Sequence, residues 1–384
     1  MQNEILEFYM PTRIVMGCGS VRNIAKELAS LKVNKILIVT DPGLEKAGVL
    51  EIVKQELKSA DYPFILFSGV EPNPSAAIMA QAHKDYEAEK CQGILAIGGG
   101  SSIDTAKAVS ILATNGGKIQ DYIGINIYKN PPAPLVVIPT TAGTGSEVTW
   151  VLVVNLKELK KKTGLAGSNL YPRVAILDPE LLKSLPPWVM ASTGMDALSH
   201  AIEGYVSTRA NPITDALHRH AISLVSKNLR AAVANPQNMG AGGNMLIAST
   251  IAGMGFTNSN CALVHAMSHP VSGHFGVSHG DVNAILLPHV MRFSWIAAVD
   301  KYADIAGLLG GQQGTPITEM ARHSADVVAT LARDVGIPSG LAEVGADPKE
   351  IEVLAREALE QIPARFNPRI ASFEEVVEIF KRAM

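Results

Sequence analysis

Short apolar runs alternate with helical patterns along the first half of the chain, and this alternation limits the possible folds most. The runs are rich in Ile, Val and Leu and end at Gly, Pro or Asp, which is typical of buried parallel strands. We predict strands at residues 35–40, 64–67, 93–97, 135–138 and 175–179. Helical patterns such as 52–59 and 76–89 lie between them. The alternation favours an α/β domain, a parallel sheet covered by helices.

After about residue 182 the strands stop and long helical patterns take over. Predicted helices include 191–206, 214–232 and 317–335. Pro186-Pro187 lies near this change and is typical of a boundary. A chain of 384 residues is long enough for two or three domains. We therefore predict an α/β domain over residues 1–181 and a helical domain over residues 182–384.

The segment 231–280 contains no Lys, Arg, Asp or Glu. It still carries Asn, Ser and several histidines, so it is not a membrane span. Residues 245–256 within it are predicted to form a buried helix. Histidines in such surroundings need partners, because burying a polar group without one is costly. A metal ion is one such partner, and a backbone hydrogen bond is another.

An aspartate and several histidines repeat with helical spacing. Asp196 and His200 stand four apart, as do His265 and His269, and His279 follows in a predicted loop. Residues four apart lie on one face of a helix. A carboxylate with several imidazoles suits Fe(II) or Zn(II). The spacing therefore indicates a metal site formed by Asp196, His200, His265 and His279.

Composition excludes several classes of function. Hydrophobic residues make up 47% of the chain and charged residues 18%, which fits a compact globular enzyme. A net charge of -3 gives no electrostatic reason to expect nucleic acid or membrane as a partner. The three cysteines, Cys18, Cys91 and Cys261, are too widely spaced for a disulfide framework or a Cys-based zinc site. With an acidic N-terminus unlike a signal peptide, we expect a cytoplasmic protein.

Two loops that follow predicted strands are candidates for binding a nucleotide. Gly98-Gly99-Gly100-Ser101 opens a helix, where backbone N–H groups and the helix dipole favour a diphosphate. Ser101 is the predicted N-cap. The alternative is an ordinary glycine turn, because the run is not GxGxxG. The loop Pro139–Glu147 carries hydroxyls that can hold phosphate or ribose, or it is simply a polar loop.

Asp41 ends the first predicted strand. A carboxylate beside a nucleotide ribose accepts hydrogen bonds from the hydroxyls and repels a 2′-phosphate. This position favours NAD over NADP. The alternative is that Asp41 caps a helix or turn.

In order along nearly the whole chain, these motifs resemble those of the iron-containing (group III) alcohol dehydrogenases. The resemblance implies a dinucleotide-binding domain at 1–181, a helical metal-binding and catalytic domain at 182–384, and a cleft between them. It implies the same four metal ligands and makes His269 a catalytic residue near the nicotinamide. The residues implied to line the cofactor site are Asp41, Asn73, Gly98, Gly99, Ser101, Asp104, Thr140, Thr141, Thr144, Ser146 and Lys162.

The resemblance implies reversible hydride transfer between a small primary alcohol or diol and NAD. Fe(II), with Zn(II) as the alternative, would act as a Lewis acid on the alcohol oxygen. His269 would pass the released proton toward solvent. The family also suggests a homodimer or larger homo-oligomer.

Several departures and rival functions stand beside this interpretation. Trp150, His274, Cys261 and Asp281 differ from the expected pattern, and His274 is a competing ligand candidate. A zinc polyol dehydrogenase of the glycerol type is expected to lack a counterpart of His200. A dehydroquinate-synthase-like lyase would need a basic cluster for a phosphorylated substrate, which the sequence does not present. A non-catalytic metal- or nucleotide-binding protein is the third rival.

Overall fold

The computed structural model describes residues 5–156, 161–311 and 314–384. Two compact units emerge. The first, which we call the sheet unit, comprises Met10–Thr141 and Gly145–Leu185. The second, the helical unit, comprises Met1–Tyr9, Ala142–Thr144 and Pro186–Met384.

The sheet unit contains strands and helices in alternation. Its strands are β1 (Arg13–Met16), β2 (Ile36–Val39), β3 (Phe64–Phe67), β4 (Gly93–Gly98), β5 (Gly124–Ile125), β6 (Leu135–Pro139), β7 (Val151–Leu156), β8 (Lys161–Ala166) and β9 (Val174–Leu177). Its helices are α1 (Ile24–Ser30), α2 (Pro42–Lys46), α3 (Val49–Ser59), α4 (Ala76–Ala88) and α5 (Gly100–Asn115). The larger sheet has the order β1-β9-β6-β4-β2-β3, and its strands pair in parallel.

Burial explains why these segments form a parallel sheet. Every residue of β2, β4, β6 and β9 is buried, as expected for strands covered on both faces. The predicted strands are confirmed. A smaller sheet of order β5-β8-β7, with β7 and β8 antiparallel, was not predicted. Strand β8 reads Lys-Lys-Thr-Gly-Leu-Ala, which lacks apolar alternation.

The helical unit consists of long helices joined by short connections. These are α6 (Pro187–Val206), α7 (Pro212–Ala234), α8 (Met239–Ser259), α9 (Leu263–Phe275), α10 (His279–Ser294), α11 (Val299–Leu308), α12 (Ile317–Asp334), α13 (Ile351–Glu360) and α14 (Phe373–Ala383). The predicted helices of this half are confirmed, and with them the fold class. In the described parts of the chain, we find no helix with the length and apolar character needed to cross a membrane.

Glycines on two helices allow close packing around a buried histidine. Gly204 of α6 and Gly255 of α8 face the ring of His218 in α7, and a Cβ on either would lie 2.3 Å from it. Nε2 of His218 is 3.0 Å from the Ser259 hydroxyl. Burial lowers the pKa of His218 to about 3, so the ring is neutral at ordinary pH. This histidine is part of the core.

Candidate functional site

The residues predicted to bind a metal come together in the helical unit. Asp196 and His200 lie one turn apart on α6, while α9 carries His265 and α10 begins with His279. Oδ1 of Asp196 is 3.8 Å from Nε2 of His265 and 3.9 Å from Nδ1 of His200. The ligand atoms of Asp196, His265 and His279 all lie within 4.8 Å of one another.

The turn between α9 and α10 brings His279 into this cluster. Gly276 ends α9 with φ 67°, a left-handed conformation that glycine adopts without strain. The chain then reverses, and His279 opens α10. Its predicted position in a loop is therefore wrong, because the helix begins at this residue. Asp281 follows in the first turn of α10, where its negative charge interacts favourably with the helix dipole.

Asn283, which was not predicted, lies at the centre of the cluster. It is one turn after His279 on α10 and fully buried. Its Nδ2 donates to Oδ1 of Asp196 at 2.7 Å and lies 3.1 Å from Nε2 of both His265 and His279. Among the described residues, Oδ1 of Asn283 and Nδ1 of His200 are buried without hydrogen-bond partners. Lone pairs that converge in this way fit a divalent cation.

Glu203 is a second functional candidate that the sequence prediction missed. This buried α6 residue accepts hydrogen bonds from the backbone N–H groups of Val264 and His265. Its carboxylate also contacts Nδ1 of His265, which leaves the Nε2 lone pair facing Asp196. A carboxylate behind a ligating imidazole fixes its tautomer and orientation. The signal was in the sequence, since Glu203 lies three residues after His200.

The pKa shifts of the two buried imidazoles in the cluster have opposite directions. Burial lowers the pKa of His200 to about 4, so this ring is neutral at pH 7 and available as a ligand. The ring stacks on Phe256 with centroids 4.3 Å apart. Burial also opposes charge on His265, but Cys261 and Glu203 outweigh it and raise the pKa of His265.

The other two histidines of α9 differ in their surroundings. The ring of His269 stacks on that of His279, with centroids 5.4 Å apart and an angle of 26°. His274 lies in the last turn of α9, and its Nε2 is 3.0 Å from the carboxylate of Glu357. Within the described ranges, it joins no group of side chains arranged to bind a metal. The structure thus gives no support to His274 as a competing ligand.

In the sheet unit, several predicted cofactor residues lie together where β2, β4 and β6 end. Asp41 caps α2, and one carboxylate oxygen accepts hydrogen bonds from two backbone N–H groups of that helix. A Cβ on Gly98 would lie 3.4 Å from the other oxygen of Asp41, and one on Gly99 would lie 3.2 Å from Thr141. Carboxyl ends of parallel strands are where such sheets bind ligands.

The start of α5 differs from the prediction. Gly99 is the N-cap and the helix begins at Gly100, so Ser101 lies within the first turn. The prediction that Ser101 caps the helix is wrong. Gly98 has φ 150°, and this conformation turns the backbone early enough for the helix to start before Ser101. Gly98 and Gly99 thus form the turn that leads directly into α5.

Asp104 and Ser146 belong to a buried cluster around Lys107, a residue that was not predicted. Nζ of Lys107 donates to the hydroxyls of Ser146 and Thr149 at 3.1 and 3.0 Å, and to a β7 carbonyl at 2.8 Å. Ser146 donates to Asp104 at 2.9 Å, and a β7 backbone N–H also donates to this carboxylate. Burial lowers the pKa of Lys107 to about 8, against the opposing charges of Asp104 and Glu147.

The remaining predicted cofactor residues are more dispersed. Lys162 donates from Nζ to Oδ1 of Asn73 at 3.0 Å. The Thr140 backbone N–H donates to the Gly98 carbonyl at 3.1 Å. Thr144 belongs to the helical unit and not to the sheet unit.

Trp150, one of the departures from the expected pattern, lies just before β7. Its carbonyl accepts a hydrogen bond from Gly167 at 3.1 Å.

Two sequence profiles of known families match this chain. A sequence profile described as "Iron-containing alcohol dehydrogenase" matches residues 11–179. A profile described as "Fe-containing alcohol dehydrogenase family, C-terminal" matches residues 190–384. Together the two profiles span nearly the whole chain.

Individual relatives match along their entire length. The chain is 38% identical to the NAD-dependent methanol dehydrogenase of Bacillus methanolicus over 378 residues, covering 98% of this chain and 99% of the relative. It is 38% identical to the 1,3-propanediol dehydrogenase of Citrobacter freundii, covering 100% of both. A crystal structure of a 1,3-propanediol oxidoreductase superimposes with a TM-score of 0.96 at 38% identity, covering 99% of this chain and 100% of the other. The chain belongs to the iron-containing alcohol dehydrogenase family.

Proposed function

We propose that the protein is an NAD-dependent, iron-containing dehydrogenase that interconverts a small primary alcohol or diol and its aldehyde. The observation that carries the proposal is the convergence of three acceptor atoms on Nδ2 of Asn283, together with Nδ1 of His200, which has no hydrogen-bond partner among the described residues. The names of the relatives, a methanol dehydrogenase and a 1,3-propanediol dehydrogenase, support a small alcohol or diol as substrate.

Four side chains would hold the metal in residues 182–384, the proposed catalytic domain. They are Asp196, His200, His265 and His279. A bound Fe(II), or Zn(II), supplies Lewis-acid catalysis by lowering the pKa of the substrate hydroxyl. Glu203 holds the His265 ring in the tautomer that presents its Nε2 lone pair.

Residues 1–181 would bind the dinucleotide, which serves as the hydride acceptor or donor. The turn at Gly98 and Gly99 leaves backbone N–H groups at the N-terminus of α5 for the diphosphate. The second oxygen of Asp41 lies beside Gly98, where its charge would disfavour a 2′-phosphate. The other proposed cofactor residues are Asn73, Ser101, Asp104, Thr140, Thr141, Thr144, Ser146 and Lys162.

His269 is proposed to carry the proton released from the alcohol. Its ring stacks on that of His279 and is partly exposed, so it can exchange protons with water. A His269→Ala variant should lose roughly 10²–10⁴-fold in turnover, the usual contribution of a positioned acid or base. Its metal content should stay unchanged, as measured by elemental analysis. A variant that loses the metal would instead identify His269 as a ligand.

The proposed function is tested by removing and restoring the metal. Protein stripped of metal is refilled anaerobically with Fe(II) or Zn(II), and NADH oxidation with propanal is followed. We expect Fe(II) to restore turnover, after which a panel of alcohols and aldehydes identifies the substrate. Metal binding without turnover for either ion would overturn the dehydrogenase proposal.

Each rival function predicts a different result or is disfavoured by an observation on this protein. A zinc polyol dehydrogenase would oxidise glycerol with Zn(II), but the place of His200 within the cluster favours the iron-type ligand set. Membership of an alcohol dehydrogenase family favours hydride transfer over a dehydroquinate-synthase-like lyase. Steady-state oxidation of NADH by an aldehyde would exclude a non-catalytic binding protein.

We also propose that the protein works in the cytoplasm as a homodimer or a larger homo-oligomer. Three free cysteines support a reducing compartment. Light scattering coupled to gel filtration measures the assembly directly.

A further inference from the structure

The amide of Asn283 lies against three of the candidate metal ligands and has no role in the proposed reaction. This side chain is fully buried. Its Nδ2 is 2.7 Å from Oδ1 of Asp196 and 3.1 Å from Nε2 of both His265 and His279. A primary amide carries two hydrogens, and here three acceptor atoms surround them. The short contact assigns one hydrogen to Asp196, and the other is then shared between the two imidazoles.

Both imidazoles are oriented to accept this shared hydrogen. The carboxylate of Glu203 contacts Nδ1 of His265. The hydroxyl of Ser268 is 3.4 Å from Nδ1 of His279. An oxygen beside Nδ1 favours the tautomer that carries its hydrogen there and keeps the lone pair on Nε2. A proton on Nε2 of His265 would point at the amide N–H groups, so the contact fits the neutral ring.

A cation and the amide hydrogen compete for the same lone pairs. Nε2 of a neutral imidazole has one lone pair, so it accepts a hydrogen bond or binds a metal, but not both. Oδ1 of Asp196 has two lone pairs, so its hydrogen bond from Asn283 is compatible with a bound metal. Loading the centre must therefore break the shared hydrogen bond, and it can leave the bond to Asp196 in place.

We propose that Asn283 is a positioning residue, which holds the empty metal site together and releases the two imidazoles when a cation binds. In the metal-free protein, its amide links imidazoles of α9 and α10 to a carboxylate of α6. In the loaded protein, only the bond to Asp196 remains, and it orients that carboxylate. Each imidazole exchanges a hydrogen bond for a coordinate bond, without a change of oxidation state. The inference rests on the proposed metal centre, because these ligands belong to it.

Two crystal structures of the wild-type protein test the exchange directly, one stripped of metal and one loaded with Zn(II). In the metal-free crystal, Nδ2 of Asn283 should lie within hydrogen-bond distance of all three ligand atoms. In the loaded crystal, it should keep this distance to Asp196 and lie beyond it from both imidazole nitrogens. An amide that keeps both imidazole contacts beside a bound cation would overturn the proposal.

The rates of metal binding give a second test, because a purely structural role would not change them in this way. Asn283→Ala removes both amide hydrogens. The association rate constant for Zn(II) should rise about 2- to 10-fold, the factor that corresponds to one net hydrogen bond holding the imidazoles. The dissociation rate constant should also rise, by at least about tenfold, because Asp196 loses its donor. Stopped-flow mixing with a zinc indicator measures association, and transfer of zinc to a chelator measures dissociation.

Asn367→Ala is the matched control. Asn367 is another buried asparagine of the helical unit, and its Nδ2 donates to the hydroxyl of Ser294 at 3.0 Å. This variant should lower stability but leave both rate constants unchanged. Equal changes of the rate constants in the two variants would show that the effect is not specific to Asn283.

The outcomes separate this inference from the function on which it rests. Association of Zn(II) that is unchanged or slower in Asn283→Ala would overturn the release of the imidazoles and leave the metal centre standing. Failure of the full chain to bind Fe(II) or Zn(II) would overturn both. Should Asn283→Ala not fold, the two wild-type crystal structures still decide.

Discussion

Two buried polar clusters, one in each unit, differ in whether their hydrogen bonds are complete. Lys107 has three N–H donors, and Ser146, Thr149 and a β7 carbonyl accept all of them. The histidine cluster around Asn283 instead leaves Nδ1 of His200 and Oδ1 of Asn283 without partners among the described residues. A buried network that satisfies itself stabilises the fold, whereas one with unpaired atoms is typical of a ligand site.

This difference assigns distinct tasks to Asp104 and Asp196. Asp104 accepts from Ser146 and from β7, so it joins α5 to its neighbours in the sheet unit. Asp196 accepts from Asn283, whose amide also contacts two imidazoles. Substitutions in the first cluster should therefore change stability, and substitutions in the second should change metal binding.

The largest effect is expected from Asp196→Asn. The amide keeps the shape and an acceptor oxygen but removes the negative charge that attracts a cation. Metal affinity should fall by more than about 100-fold, the upper end for outer partners, and turnover should fall to background. The free energy of unfolding of the metal-free protein should not decrease, because a buried charge is removed. Elemental analysis after dialysis and urea unfolding measure the two quantities, and full metal content would contradict the assignment.

Lys107→Met should have the opposite profile. Methionine fills the volume of the aliphatic stem but leaves the buried Asp104 without its cationic neighbour. Lys107→Met also leaves the acceptors of Ser146, Thr149 and β7 without their donor, and each buried group left unsatisfied costs about 1–3 kcal/mol, which urea unfolding would detect. Metal content should be unchanged. A variant as stable as the wild type would show that the cluster around Lys107 does not hold the sheet unit together.

The depressed pKa of Lys107 predicts that the free energy of unfolding depends on pH. The pKa of Lys107 is about 8 in the folded protein against 10.5 for a free lysine. Between these values the unfolded chain binds more protons, so stability rises with pH over this window. The free energy of unfolding of the wild type should gain on the order of 3 kcal/mol relative to Lys107→Met from pH 8 to 10.5. A difference between the two proteins that stays constant across this range would contradict the depressed pKa.

Helical spacing predicted part of the histidine cluster, because spacing along one helix is a local property of the sequence. Asp196 and His200 share a face of α6 whatever surrounds them. Asn283 was missed for a related reason. It lies one turn after His279, but His279 was assigned to a loop, so no helical face linked the two residues.

Buried strands were predictable for the same local reason, and the smaller sheet was not. Strands such as β4 are apolar throughout, whereas β5 has two residues and β8 begins with lysines. Pairing of β5 with β8 depends on tertiary contact, which local patterns do not report. The role of Lys107 is similar, since its acceptors lie about 40 residues further along the chain.

Glu203→Gln should weaken the histidine cluster without removing a ligand. Glutamine keeps one acceptor oxygen but cannot serve the two backbone N–H groups and Nδ1 of His265 as the carboxylate does. Metal affinity should fall roughly 10–100-fold, as is typical of partners behind ligating imidazoles. Glu357→Gln is the matched control, because Glu357 pairs with His274, which lies outside the cluster. Equal losses of affinity in both variants would show that the effect is not specific to Glu203.

The smallest effect is expected at Asp41, where one side chain has two candidate roles. Asn caps helices as well as Asp does, so Asp41→Asn should preserve the start of α2. It removes the charge proposed to exclude a 2′-phosphate. The preference for NADH over NADPH in kcat/KM should fall about tenfold, since hydrogen bonds to charged groups contribute about 1.5–3 kcal/mol.

Asp41→Ala separates the two roles, because it loses both the cap and the charge. It should show the same loss of NADH preference together with a destabilisation of about 0.5–2 kcal/mol. If Asp41→Asn keeps the full NADH preference while Asp41→Ala is destabilised, Asp41 is a helix cap only. Selection of NAD would then depend on other groups near Gly98. The pair of variants thus decides whether the Asp41 side chain maintains structure, selects the cofactor or does both.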